Sequence, residues 1–268
     1  MAVQVFRSVV APWPAATDAT RLAQRSAASE ASPSISISPV DPALNEARLQ
    51  KYLHALGAPL RMGQDASHIA DALVSTMQSI VQERPDLANA SFDFKTAGGA
   101  LQVVAPDLSA TDRQWLEATL NANTRLLSAT AQFHDDAVAG YAQWASASGH
   151  TLTPEESDAV ARKADDLTGF LTLFANLGAS AAKSMFSDGA YYAPDGSRLG
   201  FDQAPTTANG FVSFIQSART LAAGSANWRA PNGCVHYGVL KNDIFGNDQV
   251  IPHFFPNRGD GLGISEIA

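Results

Sequence analysis

The chain has 268 residues, 46% of them hydrophobic, and a formal net charge of −8, so it is long enough to bury a sizeable core. It has no cluster of Lys and Arg, which argues against a nucleic-acid or anionic-membrane footprint. No apolar run is long enough to span a bilayer, no Sec-type leader is expected, and the single cysteine, Cys234, excludes an intramolecular disulfide framework.

Residues 1–40 are dominated by Ser, Ala, Pro and Thr, and the run Ser32-Pro33-Ser34-Ile35-Ser36-Ile37-Ser38-Pro39 breaks any helical period. Such a segment buries too little apolar surface to offset its ordering entropy, so a disordered tail is expected. Its Ser-rich, Lys-poor composition resembles the uncleaved export signals of bacterial type III secretion systems. Arg7, Arg21 and Arg25 suggest a mitochondrial transit peptide instead, against which stand Asp18 and Glu30.

A helical core with one hairpin is expected over residues 41–189. Asp41-Pro42 offers an N-cap and a first-turn proline for a short helix carrying Leu44, Leu49, Tyr52, Leu53 and Leu56, which Gly57 would stop. A second helix is expected from Asp65 through Ile69, Leu73, Met77 and Ile80 to Arg84-Pro85. Alternation of Phe92 and Phe94 with Asp93 and Lys95, then Gly98-Gly99 and Leu101 to Val104, predicts a half-buried β-hairpin.

Ser109 can cap a helix through the N–H of Asp112. The apolar stripe Leu116, Leu120, Leu127, Ala131, Val138 and Ala142 carries that helix to Gly149 without a visible break. Thr153-Pro154-Glu155-Glu156 reads as a capping box with Pro at the first helical position. It opens a helix through Val160, Leu167, Leu171 and Phe174 to a stop at Ser187-Asp188-Gly189. The short connection between these two long helices favours an antiparallel pair.

Residues 190–268 are expected to hold a second hairpin around Pro194-Asp195-Gly196, one helix capped by Thr206 or Thr207 and ending at Gly224, and a loop-rich stretch from Asn227 to Ala268. The fold class expected is therefore α+β, predominantly helical. It has an antiparallel helix pair at its core, one or two β-hairpins and a loop-rich C-terminal segment.

Two places invite a chemical reading. Cys234 lies two residues before His236 in a Gly- and Asn-rich turn, so a cysteine nucleophile would draw its base from His236, His253 or His150. The competing reading makes Cys234 a small buried hydrophobe. Phe133-His134-Asp135-Asp136 resembles the metal-binding dyad of HD-type phosphohydrolases. That resemblance implies a metal completed by a further His and Asp, for which His68 and Asp165 are the nearest candidates. The competing reading puts His134 at the edge of an apolar helix face with Asp135 and Asp136 solvated, and this second reading is the one expected. Asn242-Asp243, Asn247-Asp248 and Gly259-Asp260-Gly261 lack calcium-loop or phosphate-loop spacing, so turn chemistry explains them. The expected site inventory holds no metal and no cofactor.

The function expected is that of a bacterial interaction protein without enzymatic activity, effector-like, with its tail as an export address or else cytoplasmic. Its partner would be a protein rather than nucleic acid. The alternatives are a hydrolase or transferase using Cys234 with His236 or His253, and a subunit of an assembly in which a wide apolar helix face meets copies of itself.

Overall fold

The computed structural model describes residues 42–166, 169–184, 189–201, 205–237 and 244–245. The expected tail at 1–40, the stop at Ser187-Asp188, His253 and most of the loop-rich stretch lie outside the described residues. Among those described, six helices and two small antiparallel sheets make a predominantly helical α+β fold.

Helix α1 runs unbroken from Pro42 to Glu83, where two helices separated at Gly57 were expected. Pro59 lies inside it and removes one helical hydrogen bond. The helix continues because its buried face does: Ala55, Ala58, Met62, Ala66, Ile69, Leu73, Met77 and Ile80 follow one another at helical spacing. Pro85 then prevents a further turn.

The hairpin forms as its alternation predicts. Strands β1 (Asp93–Ala97) and β2 (Ala100–Val104) pair so that Ala97 faces Ala100 across Gly98-Gly99, whose φ values of 58° and 86° fit a two-residue turn of the primed kind. Phe92, Phe94, Leu101 and Val103 are buried.

The helix expected from Ala110 to Gly149 is two helices, α2 (Ala110–Asn121) and α3 (Thr124–Ala147). Ser109 caps α2 as expected, accepting from the Asp112 N–H at 3.1 Å. The break is held by two asparagines. Asn121 donates to the carbonyl of Leu101 and accepts from its N–H, at 2.8 and 2.9 Å. Asn123 caps α3 through the Leu126 N–H and donates to the Ala72 carbonyl and the Thr76 hydroxyl on α1.

The next expected helix is also divided, into α4 (Pro154–Asp165) and α5 (Phe170–Ser184). The Thr153 capping box opens α4. The start of α5 is capped from a distance: the Asp93 carboxylate on β1 accepts from the N–H groups of Leu171 and Thr172 at 2.9 and 3.0 Å, and from the Thr172 hydroxyl at 2.6 Å. Gly169 makes room for it, since a Cβ there would stand 2.0 Å from the carboxylate.

Helix α4 folds back antiparallel on α3, as their short connection predicts, with His150 beside Glu156 near the turn and His134 beside Ala161 further along. The larger pairing is α3 with α1. Contacts of Tyr52 with Trp144, Arg61 with Asp136 and Thr76 with Asn123 fix it as antiparallel.

Strands β3 (Tyr191–Tyr192), β4 (Asn227–Arg229) and β5 (Val235–Tyr237) form the second sheet in that order. The turn at Pro194–Ser197 brings Arg198 back onto Tyr192. Helix α6 (Ala208–Ala222) is capped by Thr207. Its Arg219 reaches Asp71 and its Asn209 N–H donates to the Ala88 carbonyl, so α6 runs antiparallel to the C-terminal half of α1. Phe174, Phe211, Phe214 and Phe201 fill the core beneath it.

Candidate functional site

The tip of the second sheet carries the cysteine singled out by the sequence. Pro231, Asn232 and Gly233 turn the chain from β4 to β5, Gly233 with φ 81°, and the Asn232 side chain accepts from the Cys234 N–H at 3.0 Å. This geometry leaves Cys234 exposed, which corrects the expectation of a small buried hydrophobe. His236 is also exposed, and its ring stacks on Trp228 with centroids 4.3 Å apart and planes 12° from parallel. His150 is engaged by Glu156 at 3.1 Å, and His253 lies outside the described residues. Among the described residues no hydrogen bond joins the Cys234 thiol to a histidine.

A groove of about 500 Å³ opens between the β1–β2 turn, the middle of α3 and the outer face of α4. His134 sits in it, with Nδ1 3.3 Å from Asp135, and Nε2 3.2 Å from the Ala161 carbonyl and 3.6 Å from Asp165. Asp158 and Arg162 complete its polar wall. The fold thus brings His134 and Asp165 together, as the phosphohydrolase resemblance implies. It does not assemble the rest: His68 is exposed on α1, Asp136 turns away toward α1, and no group of three metal-ligating side chains forms among the described residues. The groove offers a histidine held between a carbonyl and two carboxylates.

Asp136 was expected in solvent and is instead half of a carboxyl pair between α1 and α3. Its Oδ1 accepts from Arg61 Nε at 3.2 Å and its Oδ2 from Gln132 at 3.2 Å. Facing it is Asp65, 6% exposed, whose Oδ2 has no hydrogen-bond partner. Burial, then the hydrogen bond to Asp136 and the negative charge of Asp136, push the Asp65 carboxyl up to about 7, while Arg61 opposes the rise. Burial pushes Asp136 the same way, but hydrogen bonds from Gln132, Arg61 and Asp65 outweigh it and hold Asp136 below the ordinary carboxylate range. Asp65 is thus the member of the pair that holds a proton below about pH 7, and Asp136 the member that stays ionised. Sequence reasoning placed Asp65 at a helix start and missed this; the available signal was the spacing of four between Arg61 and Asp65 on one helix.

The largest departure from expectation concerns the leucines of α1. Leu49, Leu53 and Leu56 were expected in the core with Tyr52, yet they are 56%, 52% and 55% exposed, and Leu60 is 47% exposed. The face that packs on α3 is built from smaller residues, Ala55 and Ala58 followed by Met62 and Ala66. At 100° per residue the four leucines fall on one line nearly opposite that alanine face. Their spacing of four, three and four is that of the a and d positions of a coiled coil. The row has defined ends, for Glu46 precedes it by three residues and Gly63 follows it by three, with the Phe245 carbonyl lying against Gly63. Lower on α1 the neighbouring helix α6 supplies cover, but α6 stops at Ala222, soon after Arg219 has met Asp71.

No protein family, no curated protein and no solved structure matches this chain.

Proposed function

We propose that this chain is a protein-interaction module without catalytic activity, which docks an amphipathic helix along the leucine row of α1. The observation that carries the reading is the row itself: four large apolar side chains at coiled-coil spacing, half exposed, on the outer face of a helix whose inner face is filled. Contiguous exposed apolar residues of this kind mark partner surfaces. Completing the burial of the four half-exposed leucines is worth about 4 kcal/mol together, which only matches the low end of the cost of association before the partner's own burial is added, so the row supports reversible rather than permanent binding. The reading without catalysis is supported by His134, which the Ala161 carbonyl and two carboxylates engage.

The test is selection of helical peptides from a displayed amphipathic library against the full chain, with Leu53→Glu/Leu56→Glu as the counter-target. Recovered peptides are expected to repeat leucine at three- and four-residue spacing and to lose at least about tenfold in affinity for the double variant. Peptides that bind both proteins equally would sink the reading.

A further inference from the structure

We propose that Asp65 is a proton-operated latch in the contact between α1 and α3. With its carboxyl neutral the two helices stay closed around it, and with its carboxyl ionised they part from Asp65 toward the N-terminal end of α1.

The latch is read from the surroundings of one oxygen. Asp65 Oδ2 is shut off from solvent and has no hydrogen-bond partner. The neutral carboxyl donates to Asp136 and needs no further donor. Ionised, the same group would keep a bare oxygen without a donor and would face a second carboxylate, an arrangement far costlier than a buried neutral acid.

The closed contact holds no cation for an ionised Asp65. Among the described residues, the charged groups that face it are Asp136 from α3 and Arg61 from α1, and Ile244 and Phe245, which pack against Gly63, bring none. Arg61 is committed elsewhere: its Nε lies 3.2 Å from Asp136 and its Nη2 3.4 Å from the Gln143 side-chain oxygen. Its guanidinium extends back over Gly57, away from Asp65, where a Cβ would stand 3.2 Å from Nη1. Water is the remaining source of donors, and it reaches Oδ2 only when the helices separate.

The direction of parting follows from what holds α1 on either side. Beyond Asp65, Asn123 at the start of α3 holds the Ala72 carbonyl and the Thr76 hydroxyl, and Arg219 of α6 reaches Asp71. None of these contacts involves the carboxyl pair. Before Asp65, Arg61 joins α1 to α3 through Asp136 itself, and Pro59 leaves the helix one hydrogen bond short, so opening costs least there. Because the Asp65 carboxyl is raised to about 7, the contact is closed below neutral pH and opens above it.

Hydrogen exchange of the full chain at about pH 6 and about pH 8, corrected for the intrinsic pH dependence of exchange, tests this. Amides of residues 48–61 and 137–147 are expected to exchange about tenfold faster at the higher pH, and those of 72–80 and 124–130 at an unchanged rate. Asp65→Asn is expected to keep the slow rates at both. His68→Gln, which removes the nearest histidine of α1, is expected to retain the change. A carbon-13 carboxyl titration of the parent chain needs no variant, and Asp65 is expected to titrate with the same midpoint as the exchange. Equal rates at both pH values overturn the proposal, as does acceleration that survives in Asp65→Asn or an Asp65 midpoint in the ordinary carboxylate range.

Discussion

Asp65 is the residue through which solution conditions reach the interior. Its carboxyl is raised from an ordinary value of 3.8 to about 7, so between these values the folded chain holds a proton that the unfolded chain releases. Stability contributed by this group is therefore full below about pH 4 and is lost as pH rises toward 7. Asp136, held low, acts in the opposite sense and loses its contribution only as the solution becomes more acidic than the ordinary carboxylate value. Asp65→Asn is expected to be stabilised relative to the parent at pH 8, by on the order of 2 to 4 kcal/mol, and to lose this advantage near pH 4. Urea unfolding at the two pH values reads the difference, and parallel curves would show that the Asp65 carboxyl is not raised in the folded chain. At the surface, Cys234 is expected to react with a disulfide reagent in the native state within about threefold of its rate in urea, because nothing covers it. Protection until unfolding would restore the buried reading.

At the scale of elements, the hairpin does more than fill a gap in the core. Asp93 on β1 supplies the cap of α5, 78 residues away. Asp93→Ala is expected to cost about 2 kcal/mol, with loss of helix signal confined to α5 by hydrogen exchange. Gly169→Ala, whose Cβ would meet the same carboxylate, is expected to cost about 1 to 3 kcal/mol. If both changes are neutral, the cap is not what starts α5. These elements also show how far the sequence could be read. Starts capped by a neighbour three residues on, at Ser109, Thr153 and Thr207, were legible, as was the Gly98-Gly99 turn, because both partners lie in one short stretch. The breaks after Asn121 and before Phe170 were not: the Asn123 cap on Leu126 is local but lies within an unbroken apolar stripe, and the partners that hold the breaks, Leu101, Ala72 and Asp93, are distant in sequence. The leucine row was misread for a related reason: periodicity reports that a helix has apolar residues on a face, and only the packing of α3 on the alanine face reveals which side is covered.

For the whole molecule, one long pairing sets the architecture. Helix α1, about 63 Å long at 1.5 Å per residue, receives α3 on one face and α6 on another, and the contacts joining α1 to α3 span from 47 to 92 residues of sequence. Leu171→Ala and Phe174→Ala, both fully buried beside this assembly, are each expected to cost about 2 to 5 kcal/mol in thermal or chemical unfolding. A cost near zero for both would mean that the α5 face is not part of the core. The break between α2 and α3 has a consequence for the order of folding. Asn123 caps α3 locally on the Leu126 N–H, while both asparagines are also tied to atoms of β2 and α1, so the corner between α2 and α3 is fully held only when those elements are in place. The bend is therefore expected to be completed late in folding. Asn123→Ala should then hasten unfolding and leave the refolding rate almost untouched, a φ-value near zero at the residue that marks the corner of the fold.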